Sequence, residues 1–369
     1  MYSRLFEPFQ VGGLKLRNRL TMAPLYLGYA GEGGSVTNLL LEHYGLMAGS
    51  GVAMVVVENA TVDSLLGSGS HRTIRADTDD NLDGLKRLAE TIKEQGVVAC
   101  LQINHAGRFA GVPEVVAPSA VATFGRMPRA LTVSEIVEIQ DKYVDAALRV
   151  QKAGFDMVEL HGGTGYLLAQ FVSPRTNERK DEYGGVLENR QKLALEVVSK
   201  VKKAVGSFPV GYRFLADEWL PDGLKLEEST VVARSLAHAG VAYLSVMGGT
   251  YESFFLPEIV EKSSKPGYMV HLAAAVKKEV DVPVITAGLI VTGDLAQQIV
   301  EEGKADLIGL ARVLWTDPAW PQKVMQGRDN EILQCDSCNA CMKILMKGKP
   351  AFCVRWPIEK QRAWREKFA

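Results

Sequence analysis

Short apolar runs alternate with amphipathic stretches along most of the chain. Eight runs rich in Val, Ile and Leu, at residues 19–24, 52–59, 97–104, 155–161, 209–214, 241–247, 282–288 and 305–312, read as strands. Several carry few charges, the pattern of strands buried on both faces of a parallel sheet. Segments of helical periodicity lie between them. Thr132 and Glu135 have the Thr-x-x-Glu spacing of a capping box and predict a helix from there to about Ala153. Further helices are expected over 188–205, 227–239, 268–280 and 293–302. This βα alternation predicts an α/β fold, a closed (β/α)8 TIM barrel over residues 1–330, with an open doubly wound sheet as the alternative. The barrel is preferred because Pro24, Gln102, His161, Arg213, Gly288 and Arg312 all fall at or near C-terminal strand ends. In a barrel those ends converge on one mouth. Neither GEGGSV from Gly31 nor GSGSH from Gly67 has the spacing of a dinucleotide-binding turn.

Composition narrows the classes of function. The 369 residues are 47% hydrophobic and 23% charged, as in a globular protein rather than a disordered one. A formal net charge of −1, with both signs mixed, offers no basic surface, so no nucleic-acid partner is expected. The longest strongly apolar run, 52–57, is too short to span a bilayer, and the first ten residues lack the apolar core of a signal peptide. A cytoplasmic protein with no membrane partner, forming a homo-oligomer, is expected. Five cysteines, four of them in the last tenth of the chain, suggest an intracellular metal or redox site rather than a disulfide framework.

Those four are Cys335-x-x-Cys338-x-x-Cys341 and, after eleven intervening residues, Cys353. Three thiolates so spaced can wrap one corner of a compact cluster, and a fourth closes it. Iron–sulfur ligation, as a [4Fe–4S] cluster, is the favoured reading. Structural zinc and unligated thiols are the alternatives, although zinc ribbons usually carry two separated Cys-x-x-Cys hooks. Residues 331–369 therefore read as a C-terminal iron–sulfur segment with a basic tail. Cys100, inside an apolar strand, reads as core. TAGLI, with Gly288 and Leu289, and IGLAR, with Ala311 and Arg312, place small residues at strand ends. They suit a phosphate site, or tight packing with a surface ion pair. In ELHGGTGY, residues 159–166, strand periodicity puts Glu159 and His161 on one side and leaves Thr164 and Tyr166 in the loop at the mouth. Imidazole and hydroxyl groups can donate to a carbonyl oxygen, and a phenol can give up a proton. Arg213 is a charge within an apolar run and needs a partner, either a neighbouring carboxylate or a bound anionic cofactor.

Five blocks in order, RNRLTMAPL, LQINHAGR, ELHGGTGYLLAQFVSPRTNERKDEYGGVLENR, VGYRF and ADLIGLARVLWTDP, resemble the Old Yellow Enzyme family over about residues 3–325. The cysteine tail extends the resemblance to residue 353 and to the iron–sulfur branch that includes 2,4-dienoyl-CoA reductase, 2-enoate reductase and trimethylamine dehydrogenase. The resemblance implies a flavin-binding barrel. Ala23, Pro24, Leu25 and Tyr26 would line FMN, with Asn59 at the next strand end and Gln102 on the pyrimidine edge. Arg213 would stand near flavin N1/O2 and stabilise the charge of the reduced ring. Gly288, Leu289, Ala311 and Arg312 would hold the phosphate, and Cys335, Cys338, Cys341 and Cys353 the cluster. His161 matches the first member of the substrate-carbonyl pair and Tyr166 the proton donor.

Three features depart from the family pattern. Thr164 stands where His or Asn usually completes the carbonyl pair, and Tyr26 stands where many members carry a small Thr or Cys. After the basic tail, 355–369, the FAD- and NAD(P)H-binding domains of multidomain relatives are not expected within this sequence. No cysteine lies near the N-terminal flavin blocks, so a covalent flavin link is not expected. The implied function is an FMN- and [4Fe–4S]-dependent ene-reductase. It would transfer hydride to the β-carbon of an α,β-unsaturated acyl compound such as an enoyl- or dienoyl-CoA, with NAD(P)H or an external electron-donor protein as reductant. An oxidative amine dehydrogenase and an electron-transfer flavoprotein subunit are the alternatives.

Overall fold

Eight parallel strands close on themselves in the computed structural model, which describes residues 2–368; residues 1 and 369, the outer limits of the ranges expected above, lie outside the described residues. The strands are β1 (Leu20–Met22), β2 (Met54–Thr61), β3 (Val98–Asn104), β4 (Met157–Gly162), β5 (Val210–Asp217), β6 (Leu244–Gly248), β7 (Val284–Thr286) and β8 (Leu307–Leu310). Each pairs with its sequence neighbours, and β1 seals the ring by pairing with β8 (Leu20 beside Ile308) and with β2 (Thr21 beside Met54). The expected (β/α)8 barrel is therefore the fold, and the open sheet is excluded.

Side-chain parity explains how the barrel is filled. Leu101 and Ile103 of β3, Val158 and Leu160 of β4, Tyr212 and Phe214 of β5, and Leu244 and Val246 of β6 point outward into the layer shared with the helices. The other parity fills the lumen. At its lower end Met54, Val56, Cys100, Met157, Tyr243, Ile285 and Leu307 form an apolar plug. An antiparallel hairpin, Phe9–Val11 with Leu14–Leu16, adds Val11 and Leu16 to that plug. Two residues further along the same strands the lumen becomes polar, with Gln102, Glu159, Arg213 and Ser245. A β-bulge between Val57 and Ala60 switches the parity of β2. Val55, Val57 and Ala60 all face the outer layer, so Asn59 turns inward to the mouth.

The helices fill the outer ring: α1 (Asn38–Ala48), α2 (Leu82–Lys93), α3 (Val133–Lys152), α4 (Lys192–Val205), α5 (Leu226–His238), α6 (Val270–Lys277) and α7 (Gly293–Glu301). The Thr132–Glu135 capping box is formed at the start of α3. The helix expected over 188–205 is divided into Leu187–Arg190 and α4. The break lies beside Arg190, whose buried guanidinium donates to the Val172 carbonyl and to Glu228, so tertiary bonds set the turn. The sequence reading did not include α1 and α2. Asp83-Gly84 has the look of a turn signal at the start of α2. In α1 apolar residues occupy most faces and leave little periodicity to read. After β8 the chain forms α8 (Arg312–Thr316), α9 (Ala340–Leu345) and α10 (Ile358–Lys367). The segment beyond residue 331 is tied to the barrel. The Ala351 N–H donates to the Leu27 carbonyl at 2.9 Å, and the Tyr29 hydroxyl donates to the Ala351 carbonyl at 2.8 Å. Among the described residues no helix is long and apolar enough to cross a membrane.

Glu58, at the bulge, is buried against α1. Its N–H donates to the Tyr44 hydroxyl at 2.7 Å, and its Oε1 has no partner. Burial pushes the Glu58 carboxyl up to about 8. The folded protein then keeps a proton that an unfolded glutamate releases near its ordinary value of about 4.3. The stability this group contributes is complete below the unfolded value and is lost as pH rises through about 8. Thermal melts of Glu58→Gln and the parent from pH 5 to 9 should show the variant gaining on the parent as pH rises. Parallel curves would mean that Glu58 does not carry this proton.

Candidate active site

The C-terminal strand ends open into a cavity of about 390 Å³. Pro24, Leu25, Tyr26, Asn59, Gln102, His161, Thr164, Tyr166 and Arg213 line it, so the structure gathers nine of the residues singled out in the sequence. A second cavity, of about 110 Å³, adjoins it at Arg213 and is lined by Ala23, Gly288, Leu289, Ala311 and Arg312. The two cavities form one trough across the C-terminal ends of the eight strands.

The smaller cavity is built from unspent backbone donors. Gly288 has φ +111°, and a Cβ there would stand 3.0 Å from the Met269 nitrogen, which explains why the position is glycine. Leu289 follows in the left-handed region at φ +55°. Among the described residues the N–H groups of Gly288, Leu289 and Ala311 donate to no protein acceptor. Such groups, beside the Arg312 guanidinium, suit a phosphate.

The floor of the larger cavity is a hydrogen-bonded polar layer. Gln102 Nε2 donates to Glu159 Oε1 at 2.7 Å, and the Tyr243 hydroxyl donates to Glu159 Oε2 at 2.8 Å. Arg213 Nη1 donates to Ser245 Oγ at 2.7 Å. Burial raises the Glu159 carboxyl above its ordinary value, and Arg213 opposes that rise. The Arg213 guanidinium is enclosed by protein yet open to both cavities, a cation facing the space where a planar anionic group would lie. The layer thus fits the edge of a flavin ring, with Arg213 and Gln102 as its donors.

The other side of the larger cavity carries the ELHGGTGY residues. His161 Nδ1 accepts the Gly163 N–H at 3.1 Å, which leaves Nε2 as the protonated nitrogen of a neutral ring. Burial, reinforced by Arg213, drives the imidazole pKa well down, so the ring stays neutral. Tyr166 lies edge-on to His161, with ring centroids 4.9 Å apart. Burial pushes its phenol well up, and so does its neighbour Tyr251, whose hydroxyl lies 2.9 Å from that of Tyr166. Thr164 has φ +58°, a strained conformation for a β-branched residue, and its hydroxyl turns to Met247 Sδ at 3.5 Å. Tyr26 bonds to Ser70 Oγ at 2.6 Å, and burial pushes its phenol up to about 12.

Cys335, Cys338, Cys341 and Cys353 line a third, smaller cavity of about 20 Å³ that meets the second at Arg312. All four are free thiols. Ser337 and Asn339, both at φ +55°, turn the chain between the first three. Among the described residues no three Cys, His, Asp or Glu side chains converge tightly enough to grip one metal ion. A cubane is larger than an ion and takes one thiolate at each of four corners, so four sulfurs around one cavity suit it in kind. Cys100 is buried in the barrel plug, away from these four.

Several residues of the site lie outside the sequence prediction. Glu159 sits beneath the cavity, and its place on the His161 side of the strand suggests no role by itself; Tyr251 follows β6 in a loop with no motif. Met342, Leu345, Met346 and Lys349 wall the large cavity from the cysteine segment. Only the fold brings α9 back across the barrel mouth.

Residues 4–331 match the model of the NADH:flavin oxidoreductase / NADH oxidase family. The chain is 43% identical to an NADH oxidase of Thermoanaerobacter brockii over 92% of its own length and 53% of that protein. Among solved structures, a 2-naphthoyl-CoA reductase in complex with 2-naphthoyl-CoA superposes with TM-score 0.92 at 28% identity, over 97% of this chain and 57% of that one. A histamine dehydrogenase from Rhizobium superposes with TM-score 0.87 at 28% identity, over 96% of this chain and 52% of that one. The chain thus spans about half the length of these relatives. On fold, site and sequence together, the chain belongs to the NADH:flavin oxidoreductase / NADH oxidase family, the one its sequence blocks resemble as Old Yellow Enzymes.

Proposed function

We propose that this chain binds FMN and a [4Fe–4S] cluster and reduces the carbon–carbon double bond of an α,β-unsaturated acyl compound, with residues 1–330 as the flavin barrel and 331–369 as the cluster segment. The observation that carries the reading is the pairing of a neutral, buried N–H donor at His161 with a buried, protonated phenol at Tyr166, facing Gln102 and Arg213 across one cavity. The chemistry that FMN supplies when bound is hydride transfer to an electron-poor carbon; the cluster supplies single electrons.

The protein's part follows from its geometry. His161 Nε2–H donates to the substrate carbonyl oxygen and stabilises the enolate charge as the β-carbon gains hydride. Thr164, turned from Met247, adds a second donor. The Tyr166 hydroxyl then gives its proton to the α-carbon, and the saturated acyl compound leaves. Tyr251, more open to solvent than Tyr166 and bonded to it, returns a proton to the phenolate. NAD(P)H at the open mouth or a protein donor would supply the electrons, and Cys335, Cys338, Cys341 and Cys353 would hold the cluster. An amine dehydrogenase reaction fits less well, because among the described residues no carboxylate lines the cavity to receive an ammonium group.

Three outcomes test this. Acid precipitation should release one FMN per chain to the supernatant, since among the described residues none lining the large cavity offers a thiol to the ring; yellow colour left in the pellet, or FAD in solution, would contradict it. Anaerobic metal analysis should give about four irons per chain. Cys338→Ser should lose them and Cys100→Ser should keep them, whereas stoichiometric zinc would refute the cluster. Tyr166→Phe should bind FMN and accept electrons, while stopped-flow reoxidation by an enoyl-CoA slows by roughly 10²–10⁴-fold, the usual worth of a general acid. Unchanged reoxidation would remove Tyr166 from the reaction.

A further inference from the structure

The rim of the large cavity carries a charge that the proposed chemistry does not use. Among the described residues, the ionic side chains lining the cavity are Arg72, Arg213 and Lys349, joined by His71, and none is acidic. Arg213 belongs to the polar floor. Arg72 does not, and the protein leaves it under-compensated. Its nearest carboxylate oxygen, on Glu32, is 4.0 Å away on a side chain that is 84% exposed. Its Nη1 donates to the Ala30 carbonyl at a long 3.3 Å, and its Nε is buried without a partner. Lys349, on the opposite wall, is exposed and has no salt bridge among the described residues. The whole chain has a formal net charge of −1, so this is local placement of positive charge rather than a basic surface.

The rim is also held in place. The Arg72 N–H donates to Ser70 Oγ at 3.1 Å, and the same oxygen bonds to Tyr26 at 2.6 Å, which pins the Arg72 loop to the segment after β1. Across the opening, a Cβ on Gly28 would stand 3.2 Å from Leu345 Cδ2, so the missing side chain lets the cysteine segment close down as the second wall. Between rim and floor the lining is apolar: Leu25, Met247, Phe254, Met342, Leu345 and Met346. The cavity therefore has a polar catalytic end, an apolar middle and a cationic mouth.

We propose that Arg72, with Lys349 and His71, binds an anionic phosphate or carboxylate group on a molecule whose other end reaches His161. This deepens the proposed function by naming the side chains that hold the anionic end of such a molecule, and it rests on that reading for the position of the reacting end. A guanidinium with unspent donors suits such oxygens because it offers parallel N–H groups with charge. The phosphates of an acyl-CoA, those of NAD(P)H and a free enoate carboxylate share this chemistry.

The test uses the holoenzyme and equilibrium binding, so it does not depend on turnover. The probes are butanoyl-CoA, the uncharged butanoyl thioester of N-acetylcysteamine, NADPH and butanoate, followed by the flavin spectrum and by calorimetry. In Arg72→Gln, preference for butanoyl-CoA over the uncharged thioester should fall roughly tenfold, the size expected for one charge-assisted hydrogen bond, with a smaller fall in Lys349→Gln. Arg72→Lys should restore part of it. Loss of affinity confined to NADPH, or to butanoate, would assign the rim to that molecule instead. No change for any of the three anions in either variant would overturn the proposal. Failure of the ene-reductase reading is seen separately: parent enzyme that binds butanoyl-CoA through Arg72 yet passes no electrons to enoyl-CoA, enoate or enone probes would keep the anion site and discard the reaction.

Discussion

Closure of the eight-stranded parallel sheet is the constraint on which the rest depends. Once β1 pairs with both β2 and β8, every strand has one parity outside and one inside. The inside must be filled from a limited cross-section. Apolar side chains and the Phe9–Leu16 hairpin fill the lower end. That plug leaves the upper end to carry polar groups, and there the same parity produces Gln102, Glu159, Arg213 and Ser245. One bulge in β2 breaks the alternation, and Asn59 joins the mouth as a result.

A buried polar layer is stable only if its members satisfy one another. Glu159 is the centre of this one, since it accepts from Gln102 and Tyr243 and offsets the charge of Arg213. Removing any one partner would leave a desolvated charge or donor, so these side chains are held in one arrangement. That arrangement leaves Arg213 facing the cavity with donors to spare. A rigid cation at the edge of a planar site suits a group that gains negative charge, and here it follows from how the lumen is satisfied.

The third consequence concerns the chain after β8. Arg312 lines both the backbone-donor cavity and the thiol cavity, and its Nη1 donates to Asn339 Oδ1 at 3.0 Å within the cysteine segment. The same segment sends Met342, Leu345, Met346 and Lys349 to wall the large cavity. Thiols, phosphate-type cradle and cavity wall are thus mechanically continuous. Ala351, Cys353 and Trp356 are buried in the same core as the barrel, which holds that continuity in place.

The eight strands and the barrel helices α3 to α7 were legible because their signals are local: β-rich runs with few charges, a capping box, and apolar positions at helical spacing, whereas α8 to α10 were not read. The helices α1 and α2 were not, since one is apolar on most faces and the other begins with a turn-like Asp-Gly. Strand-end residues such as Gln102, His161 and Arg213 could be read as a group, because a barrel brings every C-terminal strand end to one mouth. Tertiary structure alone decided the rest. The neutral tautomer of His161 depends on a bond from Gly163, and the high pKa of Tyr166 depends on burial beside Tyr251, two loops apart in sequence. The lack of compensation at Arg72 depends on how the Glu32 side chain turns to solvent, and the arrival of Lys349 on the facing wall bridges more than two hundred residues of chain. Periodicity and spacing carry the local preferences of a segment, whereas protonation, charge balance and cavity shape are set by neighbours that the sequence keeps far apart.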